Sequence, residues 1–197
     1  MKIDITSDLN IFYKKIRLLK FISHFKRNFI IKYKSKEYKD SFKRHPDKID
    51  EILKILDILN TKKRKERYNI IYDYACDYLD NEFINNNWCN FKNNMCISNR
   101  NKPKKYQVGS CCTRNYTKMD CEYFDNTIKR CSIKCISCKL FVCNYLSKKG
   151  IKYRVNSVIY LKYFLSLRQK LIASVSFFKP KDVIINKWLK FYKLSIK

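Results

Sequence analysis

Nine of the ten cysteines in this sequence lie in one stretch, between Cys89 and Cys143. Thiolate sulfur is the soft ligand that zinc and iron–sulfur clusters prefer, and short irregular spacings let loops bring several sulfurs around one ion. We therefore expect a metal centre, of zinc or of an iron–sulfur cluster. Four sulfurs suffice for one zinc ion or one four-iron cluster, so the spacing permits one site or two. The predicted metal ligands are Cys89, Cys96, Cys111, Cys112, Cys121, Cys131, Cys135, Cys138 and Cys143.

Disulfide bonds are the main alternative use of so many cysteines, and they are typical of secreted proteins. A secretion signal has an apolar core near its start, but this chain has Asp4 and Asp8 there, and lysines and arginines interrupt residues 11–31. The sequence therefore predicts a cytoplasmic protein with reduced thiols, with a disulfide-rich secreted protein as the alternative.

The tenth cysteine, Cys76, lies alone on a predicted helix, where we expect a buried core cysteine.

Three short motifs stand in the second half of the cysteine stretch. They are Cys121-Glu122-Tyr123-Phe124, Cys131-Ser132-Ile133 and Cys138-Lys139-Leu140-Phe141-Val142-Cys143. After Cys89, Cys96, Cys111 and Cys112, they resemble the YkgJ-type cysteine-cluster family, which is regarded as chelating zinc or iron. The resemblance covers residues 89–143, with the order of motifs matched and the spacing matched in part. It implies that eight thiolates chelate metal, and it implies no substrate. Cys135 has no counterpart in that pattern, and Lys139 stands where the family has arginine.

Several functional classes are excluded by what the sequence lacks. The glycines are Gly109 and Gly150, so no glycine-rich loop is available to bind phosphate as in P-loop or dinucleotide-binding folds. The histidines, His24 and His45, lie far from the cysteines, which argues against a mixed Cys/His zinc finger. No general base is evident, and we assign no catalytic residue. We expect a metal-binding protein, with a zinc- or iron–sulfur-dependent enzyme of unknown reaction as the alternative.

The chain is strongly basic, with 44 Lys and Arg against 17 Asp and Glu and a formal net charge of +27. Such a field attracts polyanions, chiefly nucleic acid, or an anionic membrane surface. Abundant Lys, Ile, Asn, Tyr and Phe also fit an A+T-rich coding sequence, under which part of the lysine content has no functional meaning. One segment, which contains Lys32 to Arg44, mixes cations with aromatic rings, and a second, which contains Lys102 to Lys105, adjoins the cysteines. The predicted nucleic-acid-binding residues are Lys32, Lys34, Lys36, Lys43, Arg44, Lys102, Lys104 and Lys105.

Apolar residues recur at helical spacing outside the cysteine stretch. The predicted helices begin after Ser7 or Asp8, after Pro46, at a capping Thr61, near Ser157 and after Pro180, with a short helix within residues 139–148. We expect a mainly α fold in which helical N- and C-terminal parts surround a loop-rich, cysteine-ligated metal module. The predicted regions are a basic helical region (1–84), the cysteine-cluster module (85–146) and C-terminal helices (147–197), packed as one unit. Charges interrupt every apolar run, so no transmembrane segment is predicted.

Overall fold

The computed structural model describes residues 2–3, 9–25, 32–33, 46–93, 95–107, 123–125, 127, 130–132 and 134–193. Side chains are described in these ranges except at 2–3, 9–11, 23–25, 32–33, 46–49, 106, 124, 130–131 and 192–193. The described part is mainly helical, as predicted. In chain order its elements are β1 (Lys2–Ile3), α1 (Leu9–Phe25), β2 (Lys32–Tyr33), α2 (Pro46–Asn60), α3 (Arg64–Asn85), α4 (Ile97–Arg100), a 3-10 turn (Lys104–Tyr106), β3 (Phe124–Asp125), β4 (Arg130–Cys131), α5 (Ile136–Leu140), α6 (Asn144–Lys148), a second 3-10 turn (Val155–Ser157), α7 (Ile159–Phe164), α8 (Leu167–Val175) and α9 (Lys181–Lys193). Among these helices, none combines the length and the apolar character that crossing a membrane needs.

Helix α3 is the centre of the helical packing. It contacts α2, α5, α7 and α9, while α1 packs on α2 and α7. The buried residues of α3 recur three and four positions apart, which gives the helix a continuous face toward its neighbours. They are Tyr68, Ile71, Tyr72, Ala75, Cys76 and Leu79. This face joins one hydrophobic core that includes Ile16 of α1, Ile136 of α5 and Trp188 of α9. The cysteine region is therefore attached to the helical core through α5.

The described strands form two separate pairs, β1 with β2 in parallel and β3 with β4 antiparallel.

Trp188 is the largest fully buried side chain of the described core. Its ring centroid lies 5.8 Å from that of Tyr68 and 5.7 Å from that of Tyr72. The indole N–H donates to the carbonyl of Gln169 at 3.1 Å, and Gln169 Nε2 donates to the Tyr68 hydroxyl at 2.7 Å and to the Trp188 carbonyl at 3.0 Å. The polar groups of this buried cluster are therefore paired, and the cluster ties α8 and α9 to α3.

Helices α1, α2 and α9 lie where the apolar spacing predicts them. The third predicted helix is also present, but the assignment of Thr61 as its cap is wrong. Helix α3 begins three residues later, and Lys63 occupies the N-cap position. The Thr61 hydroxyl donates instead to the carbonyl of Asp57 at 2.8 Å, which satisfies the last turn of α2.

Two predicted helices are each divided in two. The helix predicted from about Ser157 consists of α7 and α8, which Ser166 separates. Ser166 Oγ accepts from the Gln169 amide at 3.4 Å, and the Gln169 side chain accepts from the Ser166 amide at 2.9 Å, so a capping box begins α8. The short helix predicted within residues 139–148 consists of the end of α5 and all of α6. Cys143, in an extended conformation, is the N-cap of α6.

Candidate metal centre

The structure describes the side chains of five of the nine predicted metal ligands. Those five are Cys89, Cys96, Cys135, Cys138 and Cys143. Cys131 lies on β4 with its side chain outside the described part, and Cys111, Cys112 and Cys121 lie outside the described residues. Five of the predicted sulfur ligands can therefore be located, and they fall on three segments of the chain.

Cys135 and Cys138, which we call the thiol pair, lie at the first turn of α5. Cys135 is fully buried and Cys138 is half-buried. As a thiol, Cys135 donates to the carbonyl of Ser176 at 3.3 Å, and the amide of Phe178 donates to Cys138 Sγ at 3.4 Å. Both sulfurs therefore contact residues 176–179, which we call the 176–179 loop and which form most of the connection from α8 to α9.

Hydrogen bonds lower the pKa of the Cys135 thiol to about 6. The largest contribution is the hydrogen bond from the Cys138 thiol, and the amides of Cys138, Lys179 and Ser137 also donate to the sulfur. Together these bonds outweigh the burial of Cys135, which raises its pKa. The thiolate is the form of cysteine that binds metal, and N–H donors around it are typical of the shell that orients a metal ligand. The thiol pair thus combines a stabilised thiolate with a second sulfur beside it.

Helix α3 holds the backbone that leads into the thiol pair. The Tyr72 hydroxyl donates to the carbonyl of Lys134 at 2.9 Å and accepts from the amide of Ile136 at 3.0 Å. The Cys76 thiol donates to the same Lys134 carbonyl at 3.4 Å. Cys76 is fully buried, and this burial raises the pKa of its thiol. The prediction of Cys76 as a core cysteine is confirmed, and its contact shows that it supports the loop next to Cys135.

An ion pair with a buried lysine also links α5 to α3. Lys139 Nζ lies 2.6 Å and 2.7 Å from the two carboxylate oxygens of Asp80, and the Lys139 side chain is 5% exposed. Loss of the Asp80 carboxylate would remove this partner from the Lys139 ammonium, which is costly for a buried charge. Lys139 stands where the resembled family has arginine, and here its charge is directed to Asp80.

The β3–β4 ribbon lies next to the loop that contacts the thiol pair. Cys131 is the last residue of β4, which pairs antiparallel with β3. The ring centroid of Tyr123, directly before β3, is 6.3 Å from that of Phe178. Since the Phe178 amide donates to Cys138, the ribbon and the thiol pair meet on the same loop.

Cys89 and Cys96 lie on a second, separate loop. Lys92 and Met95 form an antiparallel bridge within it, and the amide of Ile97 donates to the carbonyl of Cys89 at 2.9 Å. The backbone therefore doubles back, so that residues 89 and 97 are hydrogen-bonded neighbours. Cys96 is buried, and Cys89 is half-buried.

A cavity of about 680 Å³ is lined both by residues of this second loop and by residues that follow Cys143. Ile97, directly after Cys96, and Leu146, on the helix that Cys143 caps, both line that cavity. Within the described part of the chain, however, no three His, Cys, Asp or Glu side chains are grouped closely enough to hold a metal ion. A complete metal site would therefore need a ligand whose side chain lies outside that part.

The predicted nucleic-acid-binding residues are only partly described. Lys104 and Lys105 are exposed, and Lys102 is half-buried. Lys32 lies on β2 with its side chain outside the described part. The remaining residues of that prediction, which lie outside the described residues, are Lys34, Lys36, Lys43 and Arg44.

The groups that surround the thiol pair could not be predicted from the sequence. Tyr72 is 64 residues from its partner Ile136, and Phe178 is 40 residues from Cys138. The donors on residues 178 and 179 are backbone amides, which leave no mark in residue type. Among these groups, only Tyr72 was indicated by the sequence, because it belongs to the apolar face of a predicted helix.

Comparisons of the chain with protein-family models, with curated proteins and with solved structures found no match. The resemblance to the cysteine-cluster family therefore stays a prediction from residues 89–143.

Proposed function

We propose that this protein binds zinc or an iron–sulfur cluster through its cysteines, and that the thiol pair is the centre of one site. The observation that supports this most is the set of donors around the two sulfurs. Amides of α5 and of the 176–179 loop donate to Cys135 or Cys138. Donors from two separate segments orient both sulfurs, as metal–thiolate sites require. Sulfur ligands also favour zinc and iron over hard cations such as magnesium and calcium.

In this proposal Cys131 and Cys121 complete the site of the thiol pair. Cys131 lies on the ribbon that adjoins the 176–179 loop, four positions before Cys135. Cys121 stands two positions before Tyr123, whose ring contacts Phe178. Two residues span at most ~7 Å, so the chain gives Cys121 access to the same region. Four thiolates are the usual ligand set of a structural zinc ion or a four-iron cluster.

The remaining predicted ligands would form a second site. Cys89 and Cys96 share one loop, and the cavity lined by Ile97 and Leu146 adjoins the segments of Cys96 and Cys143. Cys111 and Cys112 would supply the other sulfurs. We propose no reaction for either site, so the metal has a structural or binding role in this proposal.

The double variant Cys135→Ser, Cys138→Ser is expected to lose one metal site. Serine oxygen is a poor ligand for soft metals, and two of four ligands would be replaced. Elemental analysis of protein purified without oxygen gives the ratio of zinc and iron to protein. A visible absorption spectrum then separates a coloured iron–sulfur cluster from colourless zinc.

Cys76→Ala is the matched control, because it removes a nearby thiol that contacts the Lys134 carbonyl, directly before Cys135, but is not a proposed ligand. Its metal ratio should equal that of the wild-type protein. An undiminished ratio in the double variant would contradict the proposal. So would a wild-type protein that contains no zinc or iron and has its thiols paired as disulfides, which is the outcome expected of a disulfide-rich secreted protein.

We also propose nucleic acid as a partner of the basic surface around Lys104 and Lys105. Both side chains are exposed, and residues 83–119 contain no Asp or Glu. No acidic residue interrupts the cations of this stretch of the sequence, which favours contact with phosphates.

Affinity for a single-stranded oligonucleotide is expected to fall steeply between about 50 and 200 mM salt, because phosphate contacts release counterions. Lys104→Gln, Lys105→Gln should weaken binding more than Lys187→Gln, Lys190→Gln, which removes two exposed charges from α9. Fluorescence anisotropy measures both effects. Binding that is insensitive to salt, or equal losses in the two variants, would count against this surface.

A further inference from the structure

A cleft of about 550 Å³ lies between α1, α3, α7 and α8. The described residues that line this basic cleft include six cationic side chains and no Asp or Glu. The cations are Arg17, Lys20, Arg64, Arg67, Lys162 and Lys170. None of them belongs to the segments that the sequence predicts to bind nucleic acid. The convergence of like charges is therefore a feature of the tertiary structure.

The α7–α8 wall of the basic cleft contains no acidic residue. Residues 126–181 contain no Asp or Glu, and this stretch includes Lys162 and Lys170. The wall therefore cannot neutralise its own lysines. Arg64 and Arg67 come from the first turn of α3, and Arg17 and Lys20 come from α1.

Neutral oxygens hold three of these cations in place. Lys20 Nζ donates to the carbonyl of Phe164 at 2.8 Å, and Lys170 Nζ donates to Asn156 Oδ1 at 2.7 Å. Arg67 donates to the carbonyl of Thr61 through Nε at 2.9 Å and through Nη2 at 2.6 Å. These acceptors orient the cationic groups without cancelling their charge.

The cations of the cleft repel one another. Burial and then the charges of Arg67 and Lys170 lower the pKa of Lys20 to about 8. Burial and then the charges of Arg17 and Lys162 lower the pKa of Lys170. These interactions link five of the six cations in one repelling group. A multiply charged anion in the cleft would relieve this repulsion, which is the physical basis for expecting a ligand.

We propose that the basic cleft binds a phosphate-bearing anion of small-molecule size, such as the phosphate chain of a nucleotide. Its volume falls within the ~300–1,000 Å³ of small-molecule sites. Arginine and lysine together supply the forked and the point-charge donors that bind phosphoryl oxygens. Phe21, 62% exposed, and Tyr163 line the same cleft and present rings for an aromatic group of the ligand.

This site is independent of the proposed metal binding, since no cysteine lines the cleft among its described residues. It also differs from glycine-rich phosphate loops, which the sequence excludes. Side-chain cations rather than backbone amides would hold the phosphates. The two proposals can therefore fail separately.

The test uses inorganic tripolyphosphate and ATP as probes, titrated calorimetrically into the full chain at about 150 mM salt. Lys162→Gln, Lys170→Gln is expected to weaken both probes about tenfold or more, because two charge-assisted contacts are lost. Lys187→Gln, Lys190→Gln removes the same charge from exposed positions of α9 outside the cleft and should change affinity less than about twofold. Arg17→Gln repeats the test from α1. Circular dichroism shows whether each variant keeps its helices.

Three results would overturn the proposal. The wild-type chain fails to bind either probe at about 150 mM salt, where a built site should resist screening. The two double variants lose affinity equally, which would show a diffuse field instead of a site. A single-stranded oligonucleotide binds more tightly than both probes and depends on Lys162 and Lys170, which would make nucleic acid the ligand of the cleft.

Discussion

If the proposed zinc sites form, removal of their metal with a strong chelator is expected to unfold the ribbon and the thiol-pair region and to destabilise the protein by about 10–16 kcal/mol per zinc site. A whole domain is usually stable by only about 5–15 kcal/mol, so a loss of stability of this size would unfold the region around the metal. The β3 and β4 strands have two residues each, and an isolated ribbon of that length is not stable in water. Metal ligation through Cys131 and Cys121 would supply the stability that the ribbon's own hydrogen bonds do not.

Hydrogen exchange measures this effect residue by residue. After chelation the amides of Ser137, Cys138 and Lys179 should exchange faster, because the sulfur that they contact is no longer fixed. Adding back the metal should restore their protection, and in the Cys135→Ser, Cys138→Ser variant the exchange of the Lys179 amide and its neighbours in the 176–179 loop should not respond to the chelator. Unchanged exchange and an unchanged melting temperature after complete metal loss would show that ligation does not stabilise this region.

Trp188→Ala is expected to reduce the free energy of unfolding by about 3–5 kcal/mol, the largest effect among single core substitutions that this structure suggests. The indole is fully buried between Tyr68 and Tyr72, and its removal leaves a large cavity. The carbonyl of Gln169 also loses the donor that it has in the folded protein. Urea denaturation followed by circular dichroism gives the change.

Trp88→Ala is the matched control for this substitution. Trp88 is half-buried, and its indole N–H donates to the Tyr153 hydroxyl at 3.3 Å, outside the α3–α8–α9 cluster. Trp88→Ala should reduce the free energy of unfolding clearly less than Trp188→Ala does, because fewer apolar contacts are lost. An equal or larger cost for Trp88→Ala would mean that the region around the Cys89–Cys96 loop, and not the α3–α9 contact, limits stability.

Helix positions were predictable where they depend on residues three or four positions apart. The apolar spacing after Pro46 and after Pro180 predicts α2 and α9, and both are present. The errors occurred where a local polar contact overrides the apolar pattern. Ser166 begins a new helix inside an apolar run through its capping box with Gln169, and Thr61 bonds back to Asp57 instead of capping α3.

The candidate site was predictable only in its sulfur atoms. The two-residue gap between Cys135 and Cys138 suffices to place both thiols on one turn, so chemistry could be inferred from type and spacing. Two of the donors to those thiols come from the distant residues 178 and 179, and Tyr72 comes from a helix far back in the chain. Backbone amides are the same in every residue type except proline, so no residue pattern could indicate them.

The basic cleft shows most clearly what depends on folding. Composition already implied that a chain with a net charge of +27 must bring cations together somewhere on its surface. Only the packing of α1 against α7 puts Lys20 beside the Phe164 carbonyl, 144 positions away, and within the repulsive field of Lys170. Short-range order follows from neighbouring side chains, whereas the meeting of distant charges and sulfurs follows from which helix faces pack together in one core.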